Sequence, residues 1–461
     1  MDRNQLIKRT FSLLLCCSIL SGLVGCSTGE SLDDAFRDTA ILDETPENNK
    51  DSNAASKPVA DLMADFSSKE IAPVPDQVSE AFLLAASNFS VKLLKQTITD
   101  PISANSATED SSNTAESSSN CLISPLSVLT ALSMTTNGAA GKTQKEMLQV
   151  LCGDMSVEEL NQNLYSLISG LPSSESAKLL QANSIWFRDE ASFDVKKNFL
   201  QTNAWYFKAE LFKTSFDEKL AGRINSWVSE HTKKRIKNLI DQVPPEAMMY
   251  LINALTFDAK WSTPYTKNMI ADDIFTQEDG TKITVPMMTS SENLYLEMSQ
   301  AKGFIKPYKE GYSFAALLPD KNISLHDFIK NLSGKTLRQA IANASDQPLR
   351  VKMPKFKSTC KTELSQALAA MGMPSAFTPN KADFSNISSE ELVISRVLHS
   401  TSISVHEKGS EAGAATAVEM AKCSIEPETE KRIELNRPFL YLIIDQATGF
   451  PVFIGTADTL Q

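Results

Sequence analysis

The sequence predicts an α+β fold, built as one domain over residues 76–461. Helical spacing comes first: Val78, Phe82, Ala85, Phe89 and Leu93 repeat close to the 3.6-residue period. Strand-like runs then crowd the C-terminal part, at Leu349–Phe356, Val393–Val405, Leu440–Asp445 and Val452–Ala457. Beyond Cys121 no linker-like stretch and no internal repeat breaks the chain. Neither a string of small domains nor a repeating βαβ unit fits.

Taken in order, Gln77–Gln96 reads as the first helix. Residues 100–120 are rich in Ser, Asn and Thr and read as a low-complexity surface insertion. Leu126–Thr136 and Lys142–Leu151 have helical patterns, and Leu179–Phe187 reads as a strand. Ala221–Leu239 should be helical, with Ile224, Trp227 and Val228 on one face. Met249–Asp258, Thr281–Met288 and Tyr312–Leu318 read as further strands.

The N-terminus is organised differently. Arg3, Lys8 and Arg9 precede the apolar stretch Phe11–Leu23, the layout of a secretory signal. It ends in Leu23-Val24-Gly25-Cys26, which resembles the bacterial lipoprotein processing box. That resemblance implies removal of residues 1–25 and acylation of Cys26. Residues 26–75, rich in Ser, Asp, Glu, Asn and Pro, would then be a flexible tether. Acyl chains hold a protein on a membrane without a spanning helix. The expected location is the cell envelope, facing the outer membrane or cell surface, and no later segment is long and apolar enough to span.

Several chemistries are excluded. The net charge is −11 and no basic run exceeds Lys233-Lys234-Arg235, so nucleic acid is not an expected partner. Once the signal and Cys26 are set aside, Cys121, Cys152, Cys360 and Cys423 remain without CxxC spacing. Buried or free thiols are expected for the first three, and one disulfide stays open. The four histidines, His231, His326, His399 and His406, form no HExxH pattern, and GxSxG and GxGxxG are absent. Gly138 and Gly141 before Lys142-Thr143 have two residues between them where a phosphate loop needs four. The residues point to no enzyme activity, no cofactor and no metal.

Six blocks, in order, resemble the serpin family. They are Ser124-Pro125-Leu126-Ser127-Val128 with Gly138–Gly141, then Leu251–Ala254 with Phe257–Trp261, then Val285–Met288. Val351–Phe356, Leu435–Leu440 and Gly449 with Phe453–Gly455 complete the set. The match runs from about Gln77 to Ala457. It implies about nine helices, three β-sheets and an exposed reactive loop. A target protease cleaves that loop and forms an acyl-enzyme, and the cut loop inserts into the central sheet and traps it. The implied partner is therefore a serine protease, with cysteine proteases as the alternative, and a monomeric inhibitor is expected; the alternative function is that of a non-inhibitory serpin acting as a surface binding module.

Insertion places demands on the loop, read here over residues 407–434. It must bend at Glu407-Lys408-Gly409 and then become a central strand with alternate side chains inside. From Ser410, one face carries Ser410, Ala412, Ala414, Thr416, Val418 and Met420, all small or apolar. The other carries Glu411, Gly413, Ala415, Ala417, Glu419 and Ala421, so both charges fall on the face that can reach water. By the family's spacing from Gly409 the cleaved bond is Cys423–Ser424, with Lys422–Cys423 as the alternative. A Cys there suits elastase-like or chymotrypsin-like proteases, and Lys422 suits trypsin-like ones. Ser124, Ser127, Asn253 and His399 match the family's sheet-opening cluster, and Trp261 matches the aromatic where the loop enters.

Overall fold

Local capping chemistry explains where the helices begin. Ser124, Ser156, Ser324 and Ser333 each accept a hydrogen bond from the backbone N–H three residues on, which satisfies one orphan donor of the first turn. Ser156 with Glu159 and Ser333 with Thr336 complete reciprocal capping boxes. The computed structural model describes residues 59–66, 74–75, 77–99, 120–190, 193–244, 246–410 and 431–460.

Within these the order is β1 (Ala60–Asp61), α1 (Glu80–Thr99), β2 (Leu122–Ile123), α2 (Pro125–Thr136), α3 (Gly141–Leu151) and α4 (Val157–Ser169). Next come β3 (Ala177–Arg188), α5 (Lys197–Phe207), β4 (Glu210–Thr214), α6 (Leu220–His231) and β5 (Met249–Lys260). Strands β6 (Ile270–Thr276), β7 (Lys282–Met298), β8 (Ala301–Pro307) and β9 (Tyr312–Pro319) precede α7 (Leu325–Asn331) and α8 (Gly334–Ala342). The chain closes with β10 (Ser345–Pro354), β11 (Phe356–Glu363), α9 (Ser365–Met371), β12 (Arg396–His406), β13 (Gly409–Ser410), β14 (Lys431–Glu434), β15 (Phe439–Asp445) and β16 (Pro451–Ala457).

The first sheet has the order β1-β4-β3-β5-β13-β12-β11. The remaining strands run β14-β10-β7-β8-β9-β15-β16-β2, with β6 on β7. Strand β7 explains that length. Lys282–Met288 pair with β6, Met287–Tyr295 with β10, and the last five residues with β8, so two of the three expected sheets share one long strand. The α+β class, and the fold of nine helices and three sheets that the resemblance implies, agree with this architecture among the described residues.

Several boundaries move. The first helix is Glu80–Thr99, three residues later at each end than the spacing predicts. The helix expected over Ala221–Leu239 stops at His231, because Thr232 caps it and Lys233 and Lys234 adopt φ of +51° and +63°. Ile236 and Leu239 are buried all the same, so their apolar spacing marks a packed loop. The run Leu349–Phe356 divides between β10 and β11, which meet at Lys355 just after Pro354. Residues 59–66 also depart from expectation. They lie in the stretch read as tether, yet β1 pairs with β4, and Leu62, Met63 and Phe66 pack against the core. The expected insertion at 100–120 lies outside the described residues apart from Asn120.

The core sits between the sheets. All twelve residues of α2 are buried, polar ones included, which makes it the central pillar under the first sheet. Phe257 of β5 meets Tyr308, Tyr312 and Phe453 at centroid distances of 5.3, 5.2 and 6.2 Å, tying the two sheet systems together. A second cluster, with Trp186, Trp227 and Ile224, packs separately under α6. Cys121, Cys152 and Cys360 are free thiols, the first two buried. Cys121 and Cys360 share a hydrogen bond that, with burial, holds the Cys121 thiol well above its usual range. Burial pushes the Cys152 thiol up to about 12.

Truncating Phe257 to Ala should cost about 3–5 kcal/mol of unfolding free energy in urea titrations, since it empties the junction between the sheets. A loss below about 1 kcal/mol would mean that the surrounding rings collapse into the space.

Candidate functional site

Sheet geometry makes one seam different from the others. Strands β5 and β12 run parallel and pair directly from Arg396↔Tyr250 to Ser402↔Thr256. Above that stretch the chain leaves β12 at His406, turns through Glu407 and Lys408, and re-enters the sheet as β13. Gly409 and Ser410 pair antiparallel with both neighbours: Gly409 with Lys260 and His406, Ser410 with Ala259 and Val405. A new central strand has been started and stops after two residues within the described chain.

The start is held tightly. A Cβ on Gly409 would lie 2.0 Å from the Ala259 carbonyl oxygen, so only glycine passes between the strands. Ser410 is fully buried, and its hydroxyl lies 2.6 Å from the Tyr308 hydroxyl. Trp261 stacks on Tyr308 at 4.3 Å, donates its indole N–H to the His406 carbonyl at 2.8 Å, and bonds Lys408 through its backbone N–H. The Tyr265 N–H reaches the Glu407 carbonyl at 2.8 Å. Glu407 itself pairs with Lys355 at 2.7 Å, and that ammonium holds its carboxyl below the usual range. Beneath the aromatic pair lies a buried ion pair, Lys306 to Glu292 at 2.7 Å, with the ammonium 4.6 Å from the Tyr265 ring centre. Removing either partner alone would strand a charge in the interior.

Below the inserted residues a row of polar side chains crosses three strands. Asn183 on β3 registers with Asn253 on β5, which registers with His399 on β12. Asn253 donates to Asn183 Oδ1 at 2.7 Å, and its own Oδ1 meets His399 Nδ1. The N-terminus of α2 closes the row from underneath. The Ser124 N–H donates to His399 Nε2 at 3.0 Å, and Ser127 Oγ donates to Asn183 Oδ1 at 3.2 Å. Ser124 Oγ also bonds the Val452 carbonyl at 2.8 Å. A backbone N–H can only donate, so Nε2 of His399 is the acceptor and the neutral ring carries its proton on Nδ1. Complete burial drives the imidazole down to about 3, which keeps it neutral.

The residues singled out in sequence therefore fall into two groups. Ser124, Ser127, Asn253 and His399 share one hydrogen-bonded cluster across the seam. Trp261, Glu407, Gly409 and Ser410 meet at its upper end. Ala412, Ala414, Lys422, Cys423, Ser424 and Cys26 lie outside the described residues. Sequence reasoning missed Asn183, Tyr308, Tyr265, Lys355 and the Lys306–Glu292 pair. Asn183 had a signal, a carboxamide within the strand run Leu179–Phe187. The others depend on contacts between strands far apart in the chain.

Comparison with known proteins agrees with this geometry. A family model described as Serpin (serine protease inhibitor) matches residues 104–458. Serpin-Z1C of Triticum aestivum is 30% identical over 366 residues, covering 75% of this chain and 91% of that protein. The solved structure of tengpin, a thermophilic serpin, in its native state is 42% identical with a TM-score of 0.78, covering 87% of this chain and 100% of that one. The latent state of tengpin matches with the same identity and a TM-score of 0.69, covering 84% and 99%.

The buried imidazole makes the seam sensitive to acid. The unfolded ring takes up a proton below about 6.5, while the folded one resists until about 3. Between those values the unfolded state binds more protons, so stability falls as pH falls. Relative to His399→Gln, the wild-type chain should lose about 2 kcal/mol more unfolding free energy between pH 6.5 and 5. Equal losses in urea melts of the two proteins would show that His399 is not the group responsible.

Proposed function

Because the chain belongs to the serpin family, we propose that it is a single-use inhibitor of extracellular serine proteases, with cysteine proteases as the alternative target class. The matching family model describes serine protease inhibitors, and the finer reading, inhibition rather than a non-inhibitory role, rests on the loop. Ser410 carries it. This residue heads the small, apolar face of the loop, and it is already buried between β5 and β12 with its hydroxyl on Tyr308. The same alternation places Ala412, Ala414, Thr416, Val418 and Met420 on the inner side if the strand continues.

The reaction follows from that layout. The protease hydroxyl attacks the carbonyl carbon of Cys423, the Cys423–Ser424 peptide bond breaks, and Ser424 leaves as a free amine carrying the proton. An ester joins the enzyme to Cys423. Residues 411–423 are then free to extend β13 downward, and twelve residues of strand from Ser410 cover roughly 40 Å. Extension parts the β5–β12 pairs and separates His399 from Asn253, so the ester is carried away before water hydrolyses it. Lys422–Cys423 is the alternative bond, which would direct the inhibitor to trypsin-like proteases. Cleavage before Cys26 and its acylation would hold the inhibitor, as a monomer, on the cell envelope, where host or competitor proteases are met.

Incubation with elastase, chymotrypsin, trypsin, subtilisin and a papain-like enzyme tests this reading by denaturing gel and intact mass. The expected product is a covalent complex with release of a peptide beginning at Ser424. Clean cleavage without a complex for every protease would overturn the inhibitory mechanism. A second test isolates insertion. Ala414→Arg puts a charge on the buried face at a cost of several kcal/mol, so the variant should be cut at the same bond and turn over as a substrate. Undiminished complex formation would mean that Ala414 does not enter the sheet.

A further inference from the structure

Away from the seam, three elements distant in sequence meet at one point. Glu278 lies in the turn between β6 and β7, His326 in the first turn of α7, and Asp458 directly after β16. Each offers one ligand atom, and these atoms lie within 4.8 Å of one another. Glu278 Oε1 is 2.6 Å from His326 Nδ1, and the Glu278 N–H donates to the Asp458 carbonyl at 3.1 Å. The Asp458 N–H is taken by Asn120 Oδ1 at 2.7 Å.

The Asp458 carboxylate is the anomaly. The residue is fully buried, and neither carboxylate oxygen has a hydrogen-bond partner. The neighbouring Thr456 hydroxyl accepts from the Cys121 amide at 3.0 Å and makes no bond of proper geometry to it. An uncompensated buried carboxylate costs several kcal/mol.

We propose that Glu278, His326 and Asp458 form a binding site for a divalent transition-metal ion, zinc above all, that clips the C-terminal end of the chain to α7 and the β6–β7 turn. One imidazole nitrogen and two carboxylate oxygens are the donor set of a three-ligand zinc site, with the fourth position left to water. The imidazole favours zinc over calcium or magnesium, which take oxygen ligands. A doubly charged cation neutralises both carboxylates and gives the orphaned Asp458 oxygens a partner. The Glu278–His326 pair need only open from hydrogen-bond distance to roughly 3.3 Å, the ligand separation of a tetrahedral site. The site stands clear of the hinge, so the proposal does not depend on protease inhibition.

The test is titration of the chelator-stripped protein with zinc chloride by calorimetry, and with cobalt chloride by absorption. Binding of one ion per chain is expected, with a rise in melting temperature and tetrahedral cobalt bands lacking thiolate charge transfer. His326→Gln changes a part-exposed side chain and should fold. It should weaken binding by more than about tenfold, since even the loss of an outer partner costs that much. Asp458→Asn keeps the shape, removes the buried charge and should abolish the zinc-dependent rise in melting temperature. Absence of binding, unchanged affinity in both variants, or a thiolate-to-cobalt band would each overturn the site.

Discussion

The direct pairing of β5 with β12 is the contact on which the remaining architecture turns, because it is both the middle of the main sheet and the place where another strand has begun to enter. A sheet interior is ordinarily sealed by apolar side chains. Here the register instead sets Asn183, Asn253 and His399 side by side over the N-terminus of α2. The bonds of His399 to Ser124 and Asn253 are buried from water and those of Asn183 are part-buried, so parting the strands would leave buried donors and acceptors without partners.

The upper end of the seam works by a different principle. Gly409 is there because backbone passes where a Cβ cannot, and Ser410 is held by Tyr308, itself stacked under Trp261. The Lys306–Glu292 pair below has two charges in the interior, and each is stable only in the presence of the other. The Glu407–Lys355 pair adds a half-exposed tie whose contribution to stability is small beside the buried bonds.

The C-terminal end shows the same physics without a partner in place. Asp458 is carried into the interior by β16, whose residues are all buried, and among the described residues His326 and Glu278 face it. Buried charge met within the protein at Lys306 is met at Asp458 by an imidazole and a second carboxylate. That difference in chemistry separates an internal ion pair from a cation site.

The sequence by itself determined a good deal. Helical and strand periods located most of the long elements, and the blocks around Ser124, Asn253 and Arg437 carried the family. These are legible because they depend on neighbours in the chain: period, capping and alternation are local. Tertiary structure alone decided that Ala221–Leu239 breaks after His231, that Leu62 and Phe66 leave the tether to cover an edge, and that one long β7 serves two sheets. It also decided which buried polar groups meet. Asn183 and Tyr308 bond partners 70 and 102 residues away, and Asp458 meets Glu278 and His326 from 180 and 132 residues away, so long-range register, not spacing, sets who faces whom.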